Sequence, residues 1–119
     1  MRAEFLPGNR LTLLETGNAY FPALREAIDA ATREIHLETY IFEDDDTGRL
    51  IAAALSRAAN RGVKVRVLVD GFGAREFPAK LMPALEAAGV QVLVYRRKIS
   101  PMTLRRHRLR RLHRKLVVV

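Results

Sequence analysis

The chain has 119 residues, of which 49% are hydrophobic and 29% are charged, so it is long enough for one domain with its own core. It contains no cysteine, which excludes a disulfide framework and a thiolate metal site and fits a reducing compartment. No apolar stretch approaches the roughly 20 residues of a membrane span. Met1 to Leu14 lack the basic segment and apolar run of a secretory signal.

Positive charge is concentrated in one segment. The net charge is +8, yet ten of the 21 lysines and arginines lie between Arg96 and Lys115, where no Asp or Glu occurs. The segment has three interpretations: a solvated loop, a surface that attracts anionic lipid head groups, or a nucleic-acid patch. Each Lys or Arg near an anionic membrane contributes on the order of 1 kcal/mol. No aromatic side chains are interleaved for base stacking, so we rank the lipid surface first and nucleic acid second.

The N-terminal part of the chain predicts a strand, a helix and a second strand. Weak alternation predicts a short strand over residues 10–15. Apolar residues at helical spacing predict a helix from about 19 to 33, for which Asn18 is the candidate cap. Alternation from Glu34 to Phe42 then predicts a strand, on which Glu38 shares a face with aromatic side chains.

Two further helix–strand units precede the basic segment. In chain order they are a helix capped by Asp46 or Thr47 that stops at Gly62, a strand from Val63 to Asp70, a helix from Pro78 to Ala88, and a strand from Val90 to Tyr95. Strands that alternate with helices of this length predict an α/β fold with a substantially parallel sheet.

The last predicted strand, from His113 to Val119, carries the strongest chemical signal. Alternation places the imidazole of His113 and the ammonium of Lys115 on one face of this strand. A lysine offers a compact charge with three donors, and a histidine offers a nitrogen that acts as nucleophile, acid or base near neutral pH. The pair suits a phosphoryl group that is both held and attacked. The other interpretation is a basic edge strand whose charges keep it soluble.

The geometry of such sheets links this strand to Asp70. Sites in parallel sheets form beyond the carboxyl ends of strands, and Asp70 lies at such an end, whereas His113 opens its strand. If both residues belong to one site, the last strand runs opposite to the strand that ends at Asp70. The sheet is then mixed.

The stretch from His113 resembles the first half of the phospholipase D superfamily motif, H-x-K followed by four residues and an Asp. His113 and Lys115 match, and Leu116 to Val119 occupy the four spacer positions. Together with Glu38-Thr39-Tyr40-Ile41-Phe42 and Val67-Leu68-Val69-Asp70-Gly71, the whole chain is similar to the N-terminal half of a bacterial cardiolipin synthase. The motif Asp and a second copy of the motif have no counterpart among the 119 residues.

The resemblance implies a phospholipase D-like mixed sheet flanked by helices, as half of a two-motif enzyme. Residues 1–119 would be an N-terminal phospholipase D-like domain that is truncated at its C-terminal end. The implied activity is that of a phosphatidyltransferase, a cardiolipin synthase that works through a phosphohistidine and needs no metal or cofactor. The alternative is a superfamily nuclease that acts on nucleic-acid phosphodiesters. The 119 residues by themselves are expected to show little or no turnover.

Residue roles follow from the same resemblance. His113 is the nucleophile or its acid–base partner, and Lys115 holds the phosphate oxygens. Glu38 lines the site or pairs with an arginine at the core edge, and Asp70 lines the site or forms the turn before Gly71. The residues assigned to a membrane or phosphate surface are Arg105, Arg106, Arg108, Arg110 and Arg111.

The implied partners are an anionic phospholipid such as phosphatidylglycerol, a membrane surface, and the remainder of a longer chain that carries the second motif. A homodimer through the C-terminal strand is a further expectation, because Val117-Val118-Val119 is a β-prone apolar end and unpaired edges invite pairing. The expected location is peripheral, on the cytoplasmic side of the bacterial inner membrane.

Overall fold

The computed structural model describes residues 4–96 and 111–119. A four-stranded sheet with the order β3-β2-β1-β4 organises them. The elements are, in chain order, α1 (Gly17–Ala30), β1 (Glu34–Thr39), α2 (Asp46–Asn60), β2 (Lys64–Asp70), α3 (Phe77–Lys80), α4 (Met82–Ala87), β3 (Gln91–Tyr95) and β4 (Lys115–Val118).

The first three strands are parallel and the fourth is antiparallel, so the predicted mixed α/β sheet is confirmed. β1 pairs with β2 and β2 with β3 in parallel, and each connection runs through helix, as parallel neighbours require. β4 pairs antiparallel with β1, with Leu37 opposite Val117 and Thr39 opposite Lys115. The strand therefore runs opposite to β2, as predicted, although its neighbour is β1.

One face of the sheet carries the core. Alternate residues of β1 and β2 are buried there against the helices, because β-branched and leucine side chains at every second position point to the same side. The other face carries partly exposed side chains, among them Glu38, Arg66 and Leu93. None of the helices in the described part of the chain combines the length and the apolar character that a membrane crossing requires.

Several local predictions were wrong. Residues 10–15 form no strand and are exposed. Thr16 caps α1 in place of Asn18, and Asp45 caps α2 in place of its neighbours, with Oδ1 accepting from the Gly48 N–H at 2.7 Å. A helix may begin at any of several adjacent polar residues, and the tertiary context selects among them.

The predicted helix over residues 78–88 is two short helices separated at Leu81. Pro83 explains the break, because a proline is tolerated in the first turn of a helix but removes a hydrogen bond in its interior. The second helix begins at Met82, so Pro83 falls within its first two residues. Gly62 and Gly89 follow helix ends with φ of 89° and 94°, a conformation that glycine adopts without strain.

Candidate active site

The candidate site lies at the edge of the sheet where β1 and β2 end and β4 begins. His113 stands two residues before the first residue of β4, and both of its chain neighbours are tied to the sheet. The N–H of Leu112 donates to Oδ2 of Asp70 at 2.7 Å, and the carbonyl oxygen of Arg114 accepts from the N–H of Tyr40 at 3.0 Å. The backbone of His113 is therefore bracketed by the ends of β2 and β1.

Asp70 is a buried carboxylate whose described hydrogen bonds are to backbone N–H groups. Its exposure is 1%, and its Oδ1 accepts from Phe72 at 2.8 Å and from Gly73 at 3.1 Å. These two bonds form the turn that the sequence predicted, while Oδ2 reaches Leu112, which lies 42 residues away. Asp70 thus serves the turn and the approach to His113 with different oxygens.

Tyr40 supports the His113 ring from the end of β1. The two rings lie 4.9 Å apart between centroids, in a tilted arrangement. Gly73 lies directly beneath Tyr40: a Cβ on it would collide with the Tyr40 carbonyl oxygen and sit 2.9 Å from Cε2 of the ring. Only a glycine lets the turn after β2 approach this closely, and the approach fixes the wall against which His113 rests.

Lys115, two residues after His113, lines a groove. The groove has a volume of about 540 Å³ and runs between β4, the end of β1 and the first turns of α1 and α2. Its walls are mostly apolar, including Tyr20 and Phe21. The charged groups that line it are the Lys115 ammonium and the carboxylates of Glu38, Glu43 and Asp45. The apolar walls suit a hydrocarbon portion, and Lys115 is the one cation among the described lining residues.

Glu38 forms an ion pair across the β1–β4 seam. Nη1 of Arg114 donates to Oε2 of Glu38 at 2.8 Å, which matches the arginine-paired alternative stated for this residue. The Glu38 side chain is 26% exposed and the Arg114 side chain is 62% exposed. The carboxylate raises the pKa of the Arg114 guanidinium through this hydrogen bond. Glu38 also lines the groove, so it lies next to the candidate site. Its described hydrogen bond is to Arg114.

The predicted basic surface falls mostly outside the described residues, which omit 97–110. Arg111 is described: its guanidinium carbon lies 3.9 Å from the centroid of the Phe72 ring, and that of Arg75 lies 4.3 Å from the same ring. Cation–π contacts of this kind hold two positive charges at the loop after β2. One arginine of the predicted surface therefore stands next to the candidate site.

His36 has polar partners elsewhere on the open face of the sheet. Its Nε2 lies 3.3 Å from Nη1 of Arg66 and 3.5 Å from Oε2 of Glu34. These contacts are typical of a structural histidine whose hydrogen-bonding groups have partners. Within residues 4–96 and 111–119, no group of His, Asp and Glu side chains is arranged to hold a metal ion.

Three contributors to this arrangement were missed in the sequence. They are Tyr40, Gly73 and Arg114, and the sequence pattern marked none of them as part of a site. The pattern Asp70-Gly71-Phe72-Gly73 did carry a signal, because two glycines around an aromatic residue after a buried strand indicate a close backbone approach. The residue that approaches, Tyr40, lies on another strand and is invisible in the local pattern.

Comparison with known proteins places these residues in a family. Residues 24–119 match the family described as "Cardiolipin synthase, PLD-like domain". The whole chain is 41% identical to cardiolipin synthase B of Escherichia coli and covers 29% of that protein. It is 36% identical over 98% of its length to the major cardiolipin synthase of Bacillus subtilis, of which it covers 24%. A crystal structure of polyphosphate kinase from Porphyromonas gingivalis superposes on 66% of the chain and 13% of the kinase, with a TM-score of 0.47 and 24% identity.

Proposed function

This chain belongs to the family of cardiolipin synthase PLD-like domains, and we propose that it is the N-terminal domain of a phosphatidyltransferase that makes cardiolipin. The chain spans 29% of the length of the Escherichia coli relative it matches, so the activity proposed is that of a longer protein with a second H-x-K motif. The observation that carries the proposal is the position of His113 and Lys115 at the edge where β1 and β2 end.

The proposed reaction divides one displacement into two. A motif histidine, His113 or its counterpart in the second motif, attacks phosphorus through a ring nitrogen. The phosphorus–oxygen bond to the first alcohol breaks, and the other histidine gives that alcohol a proton. The hydroxyl of the acceptor then attacks phosphorus and passes its proton to the same acid–base histidine, while the phosphorus–nitrogen bond breaks and the nucleophilic histidine is released. Lys115 holds the phosphate oxygens and offsets their charge in both steps, so the chemistry needs no metal or cofactor.

The groove supports a phospholipid over a nucleic acid as the substrate. Its apolar walls suit acyl chains, whereas a nucleic-acid backbone prefers a groove lined by several cations. The carboxylates of Glu43 and Asp45 also line it and repel a lipid phosphate as well as a nucleic acid, so the choice between the two substrates rests on the apolar walls. We therefore propose an anionic phospholipid such as phosphatidylglycerol as donor, and keep the nuclease as the alternative.

The test compares two substrates in the full-length protein. Vesicles that contain phosphatidylglycerol should yield cardiolipin, plasmid DNA should stay intact, and His113→Ala should abolish the lipid reaction. Val65→Ala is a suitable control, since Val65 lies in the core on the helix-covered face of β2. Cleavage of DNA without transfer to lipid would favour the nuclease. Unchanged transfer by His113→Ala would refute the role of the motif.

The basic segment supplies a second test, of membrane attachment. We propose that it docks the protein peripherally on the cytoplasmic face of the inner membrane through long-range attraction to anionic lipid, which salt screens over roughly 10 Å at about 0.1 M. Replacing Arg105, Arg106, Arg108 and Arg110 by glutamine should reduce co-sedimentation with anionic vesicles and preserve turnover of soluble short-chain lipid. Arg111 is left in place in this variant because it contacts Phe72 beside the site. Normal binding at low salt would refute the docking role.

We propose that the 119 residues alone lack turnover, because one motif histidine has no second histidine with which to share the proton transfers. The exposed side chains of Leu116 and Val118 lie on the edge strand β4, which pairs with β1 on one side. Dimers through this strand are therefore expected for the isolated chain. Sedimentation beside an activity assay checks both expectations, and robust turnover by a monomer would contradict the first.

A further inference from the structure

We propose that Asp70 is a positioning residue for His113: it holds the backbone N–H of Leu112 and thereby fixes where the imidazole of the motif stands. The proposal rests on the role of His113 given above and assigns to Asp70 neither contact with phosphate nor proton transfer. It differs from the site-lining role expected from the sequence, because Asp70 acts through another residue.

The geometry separates two tasks between the two carboxylate oxygens. Oδ1 accepts from Phe72 and Gly73 and closes the turn after β2, at 2.8 and 3.1 Å. Oδ2 accepts from the N–H of Leu112 at 2.7 Å, a bond that the turn itself does not need. A bond from a carboxylate to a backbone N–H is short and strong compared with a neutral one. Asp70 is 1% exposed, so little water reaches its carboxylate to compete with this hydrogen bond.

The bond matters because His113 precedes the strand. The ladder between β1 and β4 begins at Lys115, so the pairing of β4 alone leaves the approach to the motif unanchored. The Tyr40 N–H fixes Arg114 on one side of His113, and Asp70 fixes Leu112 on the other. A displacement of about 1 Å at a reacting group can cost on the order of 10²-fold in rate. Loss of the Leu112 anchor is enough to produce such a displacement.

Asp70→Asn tests this without changing the volume of the side chain. The amide has one acceptor oxygen and one NH₂ donor. If the oxygen serves Phe72 and Gly73, the NH₂ faces the N–H of Leu112, and if it serves Leu112, the NH₂ faces the turn. Either orientation sets donor against donor and leaves a partly buried N–H without its acceptor. Val65→Ala is the matched control, because it weakens the core behind β2 without altering any hydrogen bond of the site.

The experiment measures the steady-state rate of phosphatidylglycerol turnover by the full-length protein over a range of lipid concentrations, which gives the maximal rate and KM. Asp70→Asn should lower this rate by on the order of 10²-fold and change KM by less than about two-fold, since the chemical step is impaired and not the binding. Val65→Ala, compared at an equal loss of melting temperature, should keep the wild-type rate. If Asp70→Asn loses no more rate than this control, Asp70 is only a stabilising residue and the proposal is overturned.

A double-mutant cycle with Leu112→Pro identifies the bond itself, because proline removes the N–H that Asp70 accepts. If the anchor is the route, the double variant is no slower than the slower single variant. Independent and multiplying losses would overturn the route through Leu112. If Leu112→Pro folds poorly, hydrogen exchange at Leu112 in Asp70→Asn decides the question without the double variant.

Failure of the substrate assignment is distinguishable from failure of the anchor. Hydrogen–deuterium exchange of peptides that contain Leu112 needs no substrate. Asp70→Asn should accelerate exchange there while Val65→Ala does so only in proportion to its global destabilisation. If the wild type cleaves DNA and not lipid, the rate comparison is repeated with DNA. Unchanged exchange at Leu112 overturns the anchor whatever the substrate is.

Discussion

The end of β2 and the seam between β1 and β4 each place a carboxylate near the motif, but the two carboxylates differ in kind. Asp70 is buried and its described bonds are to backbone N–H groups, one of them beside His113. Glu38 is partly exposed and pairs with Arg114, which is more exposed still. Removing the Asp70 carboxylate leaves buried N–H donors without an acceptor in a low-dielectric site. Removing the Glu38 carboxylate replaces an exposed ion pair by contacts with water. Because Asp70 is buried and Glu38 is not, we expect the site to depend on Asp70 more than on Glu38.

The largest effect is expected for Gly73→Ala, which changes the loop after β2 where that loop contacts Tyr40. The new Cβ would collide with the Tyr40 carbonyl oxygen, so the turn and the end of β1 must separate. Overpacking of this kind costs about 2 kcal/mol of unfolding free energy, and the displaced Tyr40 ring should lower transfer strongly. Chemical denaturation and the vesicle assay measure the two losses.

Gly17→Ala is the control for that substitution. Gly17 opens α1, and a Cβ there would make only ordinary contact with the Phe21 ring at 3.4 Å. Alanine in a helix is favoured over glycine, so stability should be kept or rise slightly. If Gly73→Ala behaved like Gly17→Ala, the close approach of the loop to Tyr40 would not support the site.

A smaller effect is expected when the Tyr40 ring itself is removed. Aromatic pairs contribute about 1 kcal/mol beyond the area they bury, and Tyr40 faces the His113 ring at 4.9 Å. Tyr40→Ala should therefore lower transfer and slightly lower stability, whereas Tyr40→Phe keeps the ring and should retain both. Equal rates for the two variants would show that His113 is held by its backbone alone.

Glu38→Gln should have little effect on either property, and this result sharpens the contrast with Asp70. The pair with Arg114 is exposed and screened by salt, so the melting temperature should fall by no more than about one or two degrees. Transfer should stay close to the wild-type rate. If Glu38→Gln abolished transfer while Asp70→Asn did not, the assignment of the two carboxylates would be reversed.

The smallest effect provides a calibration away from the site. Asp29 and Arg57 join α1 to α2 through hydrogen bonds of 2.8 to 3.1 Å, and this bonding lowers the pKa of Asp29. A lowered folded-state pKa stabilises the fold above the unfolded pKa, and the contribution is lost as pH falls through the folded pKa. Asp29→Asn should thus reduce stability slightly at pH 7.

The difference between Asp29→Asn and the wild type should disappear once the pH falls well below the lowered folded-state pKa of Asp29, where both carry a neutral side chain. Thermal unfolding across the acid range measures it. The stability difference between Asp29→Asn and the wild type at high salt measures how much of the contribution of an exposed ion pair remains after screening. The Glu38–Arg114 pair can then be compared with this value. A difference that persisted in acid would mean that the pair acts through its shape and not its charge.

The parallel part of the fold could be predicted because its signals are local. The apolar alternation of β2 and the stripe that ends at Gly62 specify a strand and a helix without knowledge of their partners. The direction of the last strand followed from placing Asp70 and His113 in one site. Its pairing with β1 instead of β2 did not follow, since an apolar edge strand fits beside any strand of suitable length.

The site was only half visible for the same reason. His113 and Lys115 lie two residues apart in sequence, so their shared face follows from alternation alone. Arg114, the partner of Glu38, lies 76 residues from it in sequence, and Leu112, which donates the third hydrogen bond to Asp70, lies 42 residues from Asp70. Such pairs depend on strand order and on how each chain segment returns to the sheet. The residue types did indicate that each carboxylate needed a partner, and the fold supplied the partner's identity.

The most direct measurement is a crystal structure of the full-length protein with orthovanadate, which adopts the five-coordinate geometry of a phosphoryl group in transfer. The account predicts the anion at the start of β4, with the His113 imidazole against it as nucleophile or as acid–base partner. The Lys115 ammonium should bind its oxygens, and the bond from Leu112 to Asp70 should be intact. Vanadate bound elsewhere, with neither His113 nor Lys115 in contact with it, would contradict the account.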